Sequence, residues 1–206
     1  ERLSPGFTVI NPTSNHADVQ FTYYGLDGNP VSSGLVNPVR YRVAPKGQVS
    51  MRASELFAGS RADGWVQVTS QTSGLNGVYF SGDFATTLEG SDSALSYTAQ
   101  IVPVIRDDQA NKTELVILNP GSASSTVAVT LFNAEGRQAA IVPSQVIAAH
   151  AALRISSSTL NVTGAGTLSA RISASAPVAA TAIIDRGDSL FFVNGQPIDQ
   201  TASQRI

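Results

Sequence analysis

Residues 7–28 read FTVINPTSNHADVQFTYYGLDG, and residues 115–136 read LVILNPGSASSTVAVTLFNAEG. The two stretches align without a gap at an offset of 108 positions. Asn11-Pro12 falls on Asn119-Pro120, Val19 on Val127, Phe21 on Val129, Tyr23 on Leu131 and Gly28 on Gly136. In one copy Val19, Phe21 and Tyr23 alternate with Gln20 and Thr22; in the other Val127, Val129 and Leu131 alternate with Ala128 and Thr130. A period of two over five residues predicts a half-buried strand with the first set facing inward. Proline has no N–H for a ladder, so the preceding strand is predicted to end at each Asn-Pro. Asp27-Gly28 and Glu135-Gly136 predict tight hairpins, because glycine takes a positive φ without steric cost.

Working outward, the first copy carries four extra residues after the hairpin, and the offset falls to 104. Val49 and Met51 then fall on Leu153 and Ile155, Leu56 on Leu160, Val66 and Val68 on Ala170 and Ile172, and 78–80 on 182–184. About seven strands are predicted in the first unit, near 6–11, 18–25, 38–44, 47–52, 64–70, 76–82 and 94–102. Helix signals are confined to one turn at 53–57 and its counterpart at 157–160. Many short strands with regular turn signals, and no room for helical crossovers, predict an all-β fold. The expectation is two tandem antiparallel β-sandwich domains, Ig-like or related, produced by internal duplication. Residues 1–96 form the first and 97–206 the second, with the boundary inside 88–112. The polar, Gly/Ser-rich stretch 88–96 reads as a linker.

Bulk composition narrows the function. The 206 residues divide into units of roughly 100, a common domain size. The net charge is −2, with only 13 Lys and Arg, so phosphate-driven nucleic-acid binding is not expected. The absence of cysteine removes disulfides, thiolate metal sites and thiol nucleophiles. No run of 18 apolar residues occurs, so no membrane insertion is expected. The chain starts at Glu1 rather than Met, as a mature product or a fragment does.

The repeated pieces are Val9-Ile-Asn-Pro12, the stretch 19–28, Glu55-Leu56-Phe57, the strand 64–70 and the apolar strand 77–80. The second copy supplies 117–120, 127–136, 169–173 and 176–178. This pattern resembles tandem β-sandwich repeats of secreted and surface proteins of environmental bacteria. The resemblance covers most of both units, and its motifs are structural. It implies an exported, modular, non-enzymatic role and specifies no ligand. Such units usually open with a strand of the type seen at 99–105. The first copy has no such strand, so one edge of it is expected to be open or filled by something else, with 97–105 free to pair with either unit. An open edge invites pairing with another chain, so a homo-oligomer through it is one expectation.

Candidate chemical groups are few. No catalytic residue is assigned: the only histidines, His16 and His150, read as solvated turn residues, and no nucleophile elbow, zinc helix or phosphate loop occurs. The carboxylates lie mostly in turns, at Asp27, Asp63, Asp83, Asp92, Asp107, Asp108, Glu135, Asp185 and Asp188, where they cap N–H groups. No metal or cofactor is expected. The densest acidic cluster is Asp107-Asp108 with Asn111 and Glu114, in the loop between the units; its spacing matches no calcium motif, and it reads as a solvated linker with a calcium site as the weaker alternative. Alternation places Val66 and Val68 inward and Trp65 outward, with Tyr24 out of phase with Phe21 and Tyr23. Trp65 and Tyr24 are therefore the candidate ligand-binding pair, either stacking a sugar ring or packing on a neighbouring loop or domain. Arg40, Arg42 and Arg52 are expected on an outer sheet face near Glu55.

The function expected from these features is an exported structural, adhesive or interaction module of a larger bacterial surface protein, secreted or at the cell surface and possibly periplasmic, with a protein or polysaccharide partner. The alternative is a carbohydrate-binding module using Trp65 and Tyr24. A hydrolase with an unrecognised carboxylate pair is the remote third.

Overall fold

Apolar alternation and Asn-Pro stops produce short strands with one buried face, and these strands pair into antiparallel sheets. The computed structural model describes residues 4–59, 63–83, 88–108, 110–160, 162, 166–187 and 189–198. Asp188 lies outside them. The first unit contains β1 (Ser4–Ile10), β2 (Ala17–Tyr24), β3 (Val39–Val43), β4 (Gln48–Arg52), α1 (Ala53–Leu56), β5 (Trp65–Ser70), β6 (Asn76–Gly82) and β7 (Leu88–Asp92). The second contains β8 (Ser96–Ile105), β9 (Lys112–Leu118), β10 (Ser125–Phe132), β11 (Gln138–Ile147), β12 (Ala152–Ser156), a 3-10 turn (Ser157–Leu160), β13 (Leu168–Asp185), β14 (Leu190–Asn194) and β15 (Gln196–Pro197).

In the first unit one layer has the order β4-β1-β6-β7 and the other β3-β2-β5. Between them lie Val9, Val19, Phe21, Tyr23, Val43, Leu56 and Phe57. The second unit repeats both layers. The second half of β13 sits with β9, β12 and β14, matching the four-stranded layer. The first half of β13 pairs with β10, which pairs with β11, matching the other layer. β13 is thus one strand doing the work of two. Register shifts between Ser173 and Val178, as the strand passes from one layer to the other. In the first unit the corresponding residues break into β5, a loop and β6.

The predicted inward residues of β2 and β10 are buried: Val19, Phe21, Tyr23, Val127, Val129 and Leu131. The Asn-Pro stop does more than end a strand. Asn11 is fully buried, and its amide donates to the carbonyls of Asn15, Val43 and Ala44 while its oxygen accepts from Thr13. Asn119 does the same to Ala123, Ile147 and Ala148, and accepts from Gly121 N. Each asparagine ties the end of one layer to the turn that leaves the other, satisfying carbonyls that no strand reaches.

Three expectations need correction. Residues 88–92 are not linker but the edge strand β7, paired along its length with β6. Its five residues LEGSD carry almost no apolar signal, since an edge strand earns its place by backbone pairing and gains from polar residues. The strand predicted near 94–102 is β8, and it pairs with the second unit only, on β13 and β15. The hairpin after β2 is tight only at its tip: Tyr24 bridges Pro30, but β3 starts at Val39. Within the excursion, the Asn37 side chain takes the place of a strand, accepting from Tyr23 N and donating to the carbonyls of Tyr23 and Val31. The second copy turns directly, Phe132 pairing with Gln138.

Candidate functional site

The first copy's β2–β3 tip and the start of β5 present Tyr24 and Trp65 side by side, since these residues pair across the two strands. Their rings stack at 5.2 Å and 26°. Tyr24 also stacks on His150 at 4.5 Å and 7°. His150 belongs to the turn between β11 and β12, so this stack joins the two units. Trp65 Nε1 donates to the His150 carbonyl at 2.9 Å, Gln67 Nε2 to the Pro120 carbonyl at 3.0 Å, and the backbone N–H of Ala152 to the Leu26 carbonyl at 2.9 Å. Aromatic pairs of this kind contribute about 0.5–1.5 kcal/mol beyond the area they bury.

Close approach is possible because of a glycine. A Cβ on Gly28 would lie 2.3 Å from the Ala149 carbonyl and 2.9 Å from Ala151 N. Gly28 therefore serves twice, once for its φ of 88° and once for space. A second contact lies across the molecule, where β7 meets β14. There Asn194 Nδ2 donates to the Asp92 carbonyl at 2.6 Å and to Ser91 Oγ at 3.1 Å. Tyr79 meets Phe192 edge to face at 5.0 Å, and burial pushes the Tyr79 phenol above its ordinary pKa. Beside this contact is an open cleft of about 390 Å³, lined in part by Leu95, Tyr97 and Asn194.

The outward phase predicted for Trp65 holds, but the space outside it is occupied by the second unit. Tyr24 is only 9% exposed and Trp65 half-buried. Of the two roles weighed for this pair, packing on a neighbouring domain is the geometry found. His150 is not a solvated turn residue: it closes the stack, and its Nδ1 is buried without a hydrogen-bond partner. Nothing in its own neighbourhood signals this. Its equivalent, Lys46, shares the left-handed φ (59° against 57°) yet is exposed and reaches only to the Pro12 carbonyl.

Asp107 and Asp108 lie in the β8–β9 connection inside the second unit rather than between the units. Asp107 is buried and pairs with Lys112. Asp108 accepts from the N–H groups of Ala110 and Asn111 and pairs with Arg106 at 2.9 Å. The Asn111 side chain is the main cause holding the Asp108 carboxyl below its usual range. Glu114 is bound to Arg154. Asp107, Asp108 and Glu114 thus each have a basic partner, Asn111 is bonded to Asp108, and among the described residues no group of three His, Asp or Glu side chains converges as a metal site. Arg40, Arg42 and Arg52 are exposed as expected; Arg40 donates to Gln20, and Glu55 accepts from the Arg52 N–H.

Paired sheets, a repeated buried asparagine and an aromatic seam define a tandem antiparallel β-sandwich protein. The chain belongs to a family of unknown function (DUF5719), whose model matches residues 5–191 and so runs through both units and the seam. No curated protein matches it.

Proposed function

We propose that this chain is a non-enzymatic, exported structural or adhesive module of a larger bacterial surface protein, with its two sandwiches held as one stiff body. The observation that supports this reading is the seam. Three stacked rings and hydrogen bonds from Trp65, Gln67 and Ala152 fix the second unit on the first at one end. Asn194 fixes it again through β7. Two separated anchors remove the hinge that a simple linker would leave, which suits a spacer that transmits force or holds a partner at a set distance. The family match across the seam supports treating the pair as the working unit. The polysaccharide-binding alternative draws no support from Tyr24 and Trp65, whose rings are engaged at the seam.

The test is small-angle scattering of the chain and of a Trp65→Ala/His150→Ala double variant, with surface labelling of intact cells that make the parent protein. The reading expects a single rigid envelope that loosens in the variant, and label on the chain in unbroken cells. A wild-type chain that already scatters as two independent units, or label that appears only after lysis, would overturn it.

A further inference from the structure

We propose that the cleft where β7 meets β14 is a binding site for a neutral sugar chain, built from both units. It places the ligand away from Trp65 and Tyr24, goes beyond the structural reading above and can fail while that reading stands.

The cleft lies where the outermost strands of the two four-stranded layers come together. Asp92 ends β7, Ser93 and Leu95 belong to the connection into β8, and Tyr97 follows at the start of β8. Asn194 and Gln196 line it from β14 and β15. Two ties brace these walls before any ligand arrives. Asn194 Nδ2 donates to the Asp92 carbonyl at 2.6 Å, and Tyr79 meets Phe192 edge to face at 5.0 Å. A site fixed in advance spends little binding energy on ordering itself. Its volume of about 390 Å³ is in the usual range for ligand sites, which favour domain junctions.

The lining sets the ligand's chemistry. Leu95 is 61% exposed, and the half-buried Tyr97 ring lies beside Pro103 in the same wall, so an apolar surface is left facing the cleft. Around it stand polar groups that make no hydrogen bond or ion pair among the described residues: the Asp92 carboxylate, the Ser93 and Tyr97 hydroxyls and the Gln196 amide. A sugar ring offers the matching surfaces, an apolar C–H face and a rim of hydroxyls. The ring of Tyr97 can cover the face. The carboxylate accepts from hydroxyls, and the amide both donates and accepts. Among the described residues no Lys, Arg or His lines the cleft, so a phosphate, sulfate or uronate would meet only the negative charge of Asp92. A single solvent-exposed carboxylate holds a simple cation weakly. The cleft is open rather than enclosed, which suits one stretch of a longer chain.

The probes are hexamers of β-1,4-glucose, β-1,4-xylose, β-1,4-mannose and α-1,4-glucose, titrated into the whole chain and followed by residue-resolved NMR shifts. The expected result is saturable shifts of Leu95, Tyr97 and the Gln196 side chain with at least one hexamer, and none with a hexamer of galacturonate or with the peptide Ser-Gly-Asn-Gly-Ser-Gly. An Asp92→Asn/Gln196→Ala variant should weaken binding by at least about tenfold while keeping the wild-type melting temperature, since both backbones stay in place. Tyr97→Ala should abolish it. Four results would overturn the proposal: no shift with any of the four neutral hexamers, equal shifts with galacturonate or the peptide, shifts confined to another surface, or unchanged affinity in the Asp92→Asn/Gln196→Ala variant.

Discussion

β5 and the first half of β13 began as the same strand and now occupy different environments. Both pair antiparallel with the long alternating strand of their unit, and both point two apolar residues inward. Among the described residues, one has a neighbour on its far side and the other does not. The same inward phase therefore leaves Ile172 sealed and Val68 in contact with water. The outer faces differ in the opposite sense. Trp65 and Gln67 of β5 meet the second unit, whereas their equivalents Ser169 and Arg171 have no such ring or seam contact. Phase decides which way a side chain points, but burial depends on what the rest of the chain brings to that face.

The largest test of this contrast is at the repeated inward position. Ile172→Ala should destabilise by about 2–5 kcal/mol, because a sealed site loses both transfer energy and packing. Val68→Ala should cost less than about 1 kcal/mol, since much of that side chain is already hydrated. Denaturant midpoints at equal m-value read the difference, and equal losses would mean that the β5 edge is covered.

What the copies share should behave alike. Asn11→Ala and Asn119→Ala each leave buried carbonyls without a donor, and each should cost about 1–3 kcal/mol. A loss at only one of them would show that the bracket is not equivalent in the two units.

A smaller effect separates the turns. Gly28→Ala and Gly136→Ala both place a side chain at positive φ, a strain of about 1–2 kcal/mol. Only Gly28 has the second unit against it, and a Cβ on Gly136 meets nothing within 4 Å. Gly28→Ala should therefore also shift Trp65 emission to the red and loosen the seam, while Gly136→Ala leaves both unchanged. Identical spectra in the two variants would contradict the seam geometry.

The smallest effect is electrostatic and common to both units. Asp27 is held below its ordinary pKa first by the Asn29 side chain, and Asp108 first by that of Asn111. A depressed carboxylate contributes stability that is present above the unfolded-state pKa and is lost as pH falls through the folded value. Melting temperatures of wild type and Asp27→Asn should differ slightly at neutral pH and converge in acid. Both carboxylates face solvent, so salt should reduce the difference.

Much of the fold was legible because duplication doubled each signal. The alternation at 19–23 and 127–131 set the phase of β2 and β10, and the turn at 53–57 marked α1. β7 was not legible, because LEGSD is stabilised by its partner β6 rather than by its own pattern. The excursion before β3 was hidden as well, since it depends on one asparagine side chain standing in for a strand. For the candidate site, the outward placement of Trp65 was legible and its neighbour was not. His150 and Lys46 occupy the same turn with the same φ, and only the arrangement of the two units distinguishes them. At 107–108 the sequence offers oxygen donors for an ion but does not show the lysine and arginine already bound to them.

The most direct measurement is amide hydrogen exchange of the chain alone, comparing Trp65–Ser70 with the matching residues 169–174. The account predicts that alternate amides of β5, those facing away from β2, exchange as solvent-exposed groups, while their β13 equivalents are protected on both sides by β10 and β8. Equal protection along both strands would contradict it, because the two copies would then present the same closed edge.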